Sequence, residues 1–305
     1  MRFLWLILVA LPLSATTWHI NVAGLGGETE YETRFVNLAT ELDKVLRGTP
    51  DAKVTTLSGA SATRVRLEAA IDEVVKGAKP DDVFVLTLIG HGSFDGDVYK
   101  FNIPGPDISA PEIAAKLDFI SARKQVVINT TSASGASLEP LRRDYRAVIT
   151  ATRSGTEKNA TVFARYLVEA FRDPNADTDK NETVSALEAF QYADKKTVNF
   201  YETQKRLATE HALLEDTGKA AGVRAPSAEN GQGLLARQLP LVRFGSLQEA
   251  ARSPEKQQLL ATREELETAI DKLKYEKAAM PVADYRKQLN TLLLKLAQVQ
   301  EEIDK

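Results

Sequence analysis

Two short apolar runs constrain this chain more than any other feature. Asp82-Val83-Phe84-Val85-Leu86-Thr87-Leu88-Ile89 leads into Gly90-His91-Gly92-Ser93, and Gln125-Val126-Val127-Ile128-Asn129-Thr130 leads into Thr131-Ser132-Ala133-Ser134-Gly135. A strand apolar on both faces must be buried on both faces, which points to a mainly parallel sheet covered by helices. In open sheets of that kind the carboxyl ends of the strands hold the reactive groups. His91 and Ser132 each follow such a run, so both are expected at the same end of one sheet.

The flanking sequence repeats the alternation. Strands are expected at His19–Ala23, Lys53–Leu57 and Arg146–Ala151, and helices at about Tyr31–Leu46, from Thr63 onward, from Ser109 or Ala110 to Ile120, and at about Asn159–Phe171. Thr63 supplies an N-cap, and Pro111 fits the first turn of its helix. Val98–Ile103 alternates and predicts a small hairpin beside His91, ended by Pro104-Gly105-Pro106-Asp107. Gly24-Leu25-Gly26-Gly27 lacks the G-x-G-x-x-G spacing of a dinucleotide site and reads as a strand-to-helix turn. The expected fold class is therefore α/β, a three-layer α/β/α sandwich with a mainly parallel sheet.

A strand ending in His-Gly, followed by a strand ending in a nucleophile position and x-Ser-Gly, resembles the caspase-like cysteine peptidase superfamily, in particular its legumain-like branch. The resemblance covers roughly residues 18–200 and implies a catalytic His at His91, a catalytic Cys at Ser132 and oxyanion donors from the main chain of Ser132 and Gly92. The chain has no cysteine. A thiol, with a pKa of about 8.5, is partly ionised at neutral pH, whereas a serine hydroxyl needs a base held by a third group. Asp95 and Asp97 lie close to His91 in sequence, but nothing in the sequence joins either to it. Arg153 follows the strand that borders the pocket for the residue before the cut in similar peptidases, where it could contact an acidic residue, but the favoured reading is a surface arginine. His19 and His211 have no partner motif and read as structural, His211 late in a long helix expected from Val184 to about Leu214.

Asp177-Thr178-Asp179-Lys180-Asn181-Glu182-Thr183-Val184-Ser185-Ala186-Leu187-Glu188 matches the oxygen-ligand spacing of an EF-hand loop. Asp177, Asp179 and Asn181 take positions 1, 3 and 5, Thr183 offers its carbonyl at 7, Ser185 stands at 9 and Glu188 at 12. The departure is Glu182, where glycine is expected and another residue costs roughly 1 kcal/mol of strain. The cofactor expected here is Ca2+; the alternative is an acidic turn capping the next helix through Thr183 or Ser185.

The ends differ from the middle. Met1-Arg2 followed by Phe3–Leu11 and Pro12-Leu13-Ser14-Ala15 has the layout of a signal peptide over residues 1–15, with an apolar run shorter than the ~20 residues of a bilayer span. That predicts a periplasmic or secreted protein with no stable membrane span after cleavage. A formal charge of -3 gives no case for nucleic acid. Residues 16–200 read as the caspase-like domain, 201–253 as helix end and linker, and 254–305 as a helical hairpin. Val282, Tyr285, Leu289, Leu292, Leu296, Val299 and Ile303 form a heptad seam, with Leu259, Leu266, Ile270 and Leu273 on the preceding helix. The hairpin covers the domain or mediates self-association. Three functions stay open: a peptidase homologue that binds peptide or protein partners without thiol chemistry, a hydrolase using Ser132 and His91, and a structural protein working through its tail.

Overall fold

The computed structural model describes residues 15–219, 221–228, 230–253 and 255–305, so the expected signal peptide lies, but for Ala15, outside the described residues. The chain opens with β1 (Thr17–Ala23), α1 (Thr29–Arg47), β2 (Ala52–Leu57), α2 (Arg64–Gly77) and β3 (Val83–Ile89). Three short strands follow, β4 (Gly92–Phe94), β5 (Tyr99–Phe101) and β6 (Ile108–Ser109), then α3 (Ala110–Leu117), β7 (Lys124–Asn129), α4 (Leu138–Leu141), β8 (Arg146–Thr150) and α5 (Phe163–Ala170). The C-terminal part holds β9 (Thr183–Ser185), α6 (Ala186–Thr203), β10 (Leu213–Glu215), α7 (Leu234–Arg237), β11 (Pro240–Arg243), α8 (Gly245–Ala251), α9 (Gln257–Tyr275) and α10 (Val282–Asp304).

The main sheet runs β10-β8-β7-β3-β1-β2, parallel throughout except for β10. Alternate residues of its strands feed two separate cores. Val85, Ile89, Val126, Ile128 and Ile149 face α1, α5 and α6, whereas Phe84, Leu86, Leu88, Val127 and Val148 face α2, α3 and α4. This is the three-layer α/β/α sandwich, and it explains why β3 and β7 carry so few polar positions. Asp82 fixes the start of β3 by accepting hydrogen bonds from Thr16 N at 2.9 Å, Trp18 Nε1 at 3.1 Å and Lys79 N at 2.9 Å. Thr63 caps α2 and Ser109 caps α3, the latter in a reciprocal box with Glu112.

Four parts of the fold depart from the sequence reading. The helix after Val184 stops at Thr203 rather than reaching Leu214. Lys205 then takes a φ of +52°, and Leu213–Glu215 instead adds an antiparallel edge to β8. Consequently His211 lies outside any helix. The stretch 201–253 contains two strands and two short helices, and β11 pairs with β9 across the EF-hand-like loop. The helix expected from Asn159 begins only at Phe163, because the Glu210 carboxylate caps it from afar, accepting Val162 N at 2.8 Å and Phe163 N at 3.1 Å. The hairpin beside His91 gains a third strand, β6.

The C-terminal hairpin forms as α9 and α10. Leu260 and Ile303 are buried with Leu247, Ala250 and Ala251 of α8 in a third, small core. The rest of the seam is half-buried from Tyr285 to Val299, and Val282 is exposed. Among the described residues no helix is long and apolar enough to cross a membrane.

Candidate functional site

The parallel sheet brings His91 and Ser132 to its carboxyl end, because β3 and β7 are adjacent and in register from Val83–Lys124 to Leu88–Asn129. What lies between them decides the chemistry. Ser132 is 3 % exposed. Its hydroxyl donates to the Gly92 carbonyl at 3.0 Å and accepts from Gly92 N–H at 3.1 Å. Among the described residues no hydrogen bond joins Ser132 to His91. The Gly92 N–H, expected as an oxyanion donor, is occupied by the very hydroxyl that would attack.

This approach is built into the backbone. A Cβ on Gly92 would lie 2.5 Å from the Tyr99 ring and 2.6 Å from both Ser132 O and Thr131 Oγ1, so only glycine fits. Beneath the turn lies a buried polar network. The Tyr99 and Thr131 hydroxyls are 2.6 Å apart, Thr131 Oγ1 donates to Asn129 Oδ1 at 2.8 Å, and Asn129 Nδ2 donates to Ser137 Oγ at 2.9 Å. Ala133, the residue after Ser132, takes a left-handed φ of +56°, unusual without glycine, and its N–H is held by the Glu157 carbonyl at 2.8 Å.

His91 turns toward α1. Its ring stands edge-on to Tyr31 and Phe35, with centroids 4.8 and 5.0 Å away. Burial lowers its pKa, with the Arg34 charge adding to the effect and a hydrogen bond to the Gly26 carbonyl opposing it. Burial thus favours the neutral imidazole. Neither nearby acid orients it: Asp95 accepts from Asp97 N and Val98 N and pairs with Lys100. Arg153 is exposed and pairs with Glu157 at 3.1 Å. The sequence reading missed a histidine–carboxylate pair, His211 Nδ1 to Glu157 Oε1 at 2.6 Å. Only the edge strand β10 brings His211 there, so no local signal could have shown it. His19 is 2 % exposed with neither ring nitrogen partnered, and burial pushes its pKa down to about 3.

The acidic loop gathers as its spacing predicts. Carboxylate oxygens of Asp177, Asp179 and Glu188 lie within 4.8 Å of one another. Asp179, Asn181, Thr183, Ser185 and Glu188 line one cavity of about 50 Å³. The donors are all oxygens, which suits a hard divalent cation. The same groups also cap. Asp177 accepts from Asn181 N at 3.1 Å and Glu182 N at 2.9 Å, and Glu188 forms a reciprocal box with Ser185 at the start of α6. Glu182 adopts the left-handed φ of +61° that the loop demands, and its carboxylate caps α8 through Ser246 Oγ and Leu247 N. Burial, Glu188 and Asp177 raise the Asp179 pKa against the pull of Arg237, and burial with Asp179, Glu264 and Asp271 pushes Glu267 up to about 7 despite Arg263. The acids Glu264, Glu267 and Asp271 and the cations Arg237 and Arg263 were not foreseen at this loop, because they arrive from α7 and α9. Lys124, the first residue of β7, lines the same cavity, so it lies toward the opposite end of that strand from Ser132.

No family model matches the chain, and no curated protein matches it. Solved structures do align with it. Protein GSU0716 from Geobacter sulfurreducens is 10 % identical, with 76 % of this chain and 100 % of that one covered at a TM-score of 0.45. The Drosophila initiator caspase Dronc is 13 % identical over 67 % of this chain and 80 % of its own, TM-score 0.43, and caspase-1 from Spodoptera frugiperda is 12 % identical over 67 % and 87 %, TM-score 0.47. Similarity of this kind concerns the path of the chain and assigns no role to any side chain.

Proposed function

We propose that this chain is an exported homologue of the caspase- and legumain-like peptidases that binds a peptide or protein partner and does not cleave it. The observation that carries the reading is the closed pair between Ser132 and Gly92: one hydroxyl bonded to both main-chain polar groups of Gly92 and not to His91. Acyl transfer requires the nucleophile within reach of a base and an unoccupied oxyanion donor. Here the imidazole is packed edge-on against Tyr31 and Phe35, and the donor is already used. A mixed pool of unstructured peptides, incubated with the protein and read by mass spectrometry for new termini and for retention, tests this. Retained but uncut peptides are expected. New termini that vanish with Ser132→Ala would establish the hydrolase reading instead.

The 177–188 loop supports a second reading, as a Ca2+ site, because three carboxylates converge within 4.8 Å at EF-hand spacing. Asp177, Asp179, Asn181 and Glu188 would supply side-chain oxygens, Thr183 its carbonyl, and Ser185 the position usually filled through water. Isothermal titration of chelator-treated protein with calcium tests it; heat of binding is expected, and its absence would leave the loop an acidic cap. Self-association through α10 remains a use for the exposed side of the hairpin, where Leu293 and Leu294 face solvent.

A further inference from the structure

We propose that cation binding at the 177–188 loop and docking of α9 on the α/β body are one coupled equilibrium, with the cation acting as the clamp. The inference rests on the calcium reading above and extends it to the tail. Beyond the hydrogen bonds the loop makes within itself and the one from Lys180 Nζ to the Pro174 carbonyl, several of its polar contacts reach residues C-terminal to α6. Arg237 bridges Asp179 Oδ2 at 3.0 Å and Asp271 Oδ1 of α9 at 2.8 Å. Arg263 of α9 donates to the Asn181 carbonyl at 2.8 Å. Glu182 receives Phe244 N at 2.8 Å on its carbonyl, alongside the α8 cap on its carboxylate.

The charges between loop and α9 do not balance. Asp179 and Glu188 face Glu264, Glu267 and Asp271 across the cavity, and Asp177 stands behind them. The cations on the same cavity are Lys124, Arg237, Arg243 and Arg263. With Asp177 counted on one side and Lys274, 3.8 Å from Asp271, on the other, six acids meet five bases, so with all groups ionised a net negative charge remains, which a divalent cation offsets. A second, independent observation points to something bound there. Arg263 is 7 % exposed and lines the cavity, yet its Nε–H has no partner. A buried donor without an acceptor is costly and calls for an oxygen in the cavity. A partly hydrated cation brings that oxygen.

Without the cation, α9 docks against a surplus of like charge; with it, Asp179 is satisfied by the ion and Arg237 serves Asp271 alone. Linkage then requires reciprocity: whatever the cation adds to docking, docking adds to cation affinity. The experiment uses the full chain, treated with chelator and measured with calcium chloride as the only added ligand. Calcium binding is followed by titration, and tail docking by hydrogen exchange of the amides in 257–304. Calcium is expected to slow exchange in α9 by roughly tenfold, within the range of ordinary allosteric couplings. Glu267→Gln, which leaves every loop ligand intact, is expected to weaken calcium binding several-fold while preserving the circular dichroism spectrum. Calcium that binds with α9 exchange unchanged, and equal affinity in Glu267→Gln, would overturn the coupling and leave the calcium site standing. No calcium binding at all would overturn both.

Discussion

Ser132 and Gly92 form a closed pair: the serine hydroxyl donates to the glycine carbonyl at 3.0 Å and accepts from its N–H at 3.1 Å. The pair cross-links the turn after β7 to the first residue of β4, with the backbones too close for any side chain at position 92. Ser132 thus works as a structural tie.

Ser132→Ala should therefore reduce stability. It leaves the half-buried N–H and C=O of Gly92 without that partner, a loss of about 1 kcal/mol. Gly92→Ala should cost more, since its Cβ meets Ser132 O and Thr131 Oγ1 at 2.6 Å. Urea unfolding of both variants measures this, and the order Gly92→Ala worse than Ser132→Ala is the expected outcome.

His91 should titrate below the ordinary imidazole value of about 6.5. Burial is the main cause and the Arg34 charge the next, so Arg34→Gln should move the midpoint upward. Because its folded pKa is depressed, the neutral ring's contribution to stability is complete above the unfolded value and declines as pH falls through the window below it. Proton NMR of the imidazole resonances across pH 4 to 8 follows both effects.

His19 sets a steeper acid dependence. Its pKa falls from 6.5 to about 3 on folding, with burial as the cause. The sign is that of a buried base: stability is full above pH 6.5 and is lost as pH falls toward 3, by roughly 4–5 kcal/mol at the lower end. His19→Leu should flatten the stability profile over that interval, which denaturation at a series of pH values will show.

Calcium at one hundred times its Kd should stabilise the fold by about 2.7 kcal/mol through mass action. Glu188→Gln should remove most of that increment. The variant also disturbs the box between Ser185 and Glu188, so the quantity to compare is the calcium-dependent rise in Tm and not the Tm itself.

The central sheet was legible in the sequence because β3 and β7 are buried on both faces, and burial writes itself as unbroken apolar runs. The hairpin was legible because the seam from Tyr285 to Ile303 is periodic. The small edge strand β10 was not: its three residues look helical in isolation, and only pairing with β8 makes them a strand. The start of α5 was misjudged for the same reason, since its cap, Glu210, is distant in sequence. At the site, the sequence placed His91 and Ser132 at one end of the sheet but could not show that the hydroxyl closes on Gly92. The oxygen-rich spacing of Asp177, Asp179 and Glu188 is visible in the sequence, whereas Arg237, Arg263 and the acids of α9 reach the loop only through tertiary packing.

The most direct test of the Ser132–Gly92 tie is covalent. A fluorophosphonate, which labels serines activated for acyl transfer, is incubated with the full-length protein and the intact mass is read. The protein should carry no adduct at Ser132, and its mass spectrum should show no more labelling than that of the Ser132→Ala variant. An adduct of one phosphonate that maps to Ser132 and disappears in Ser132→Ala would contradict the tie and show a working nucleophile.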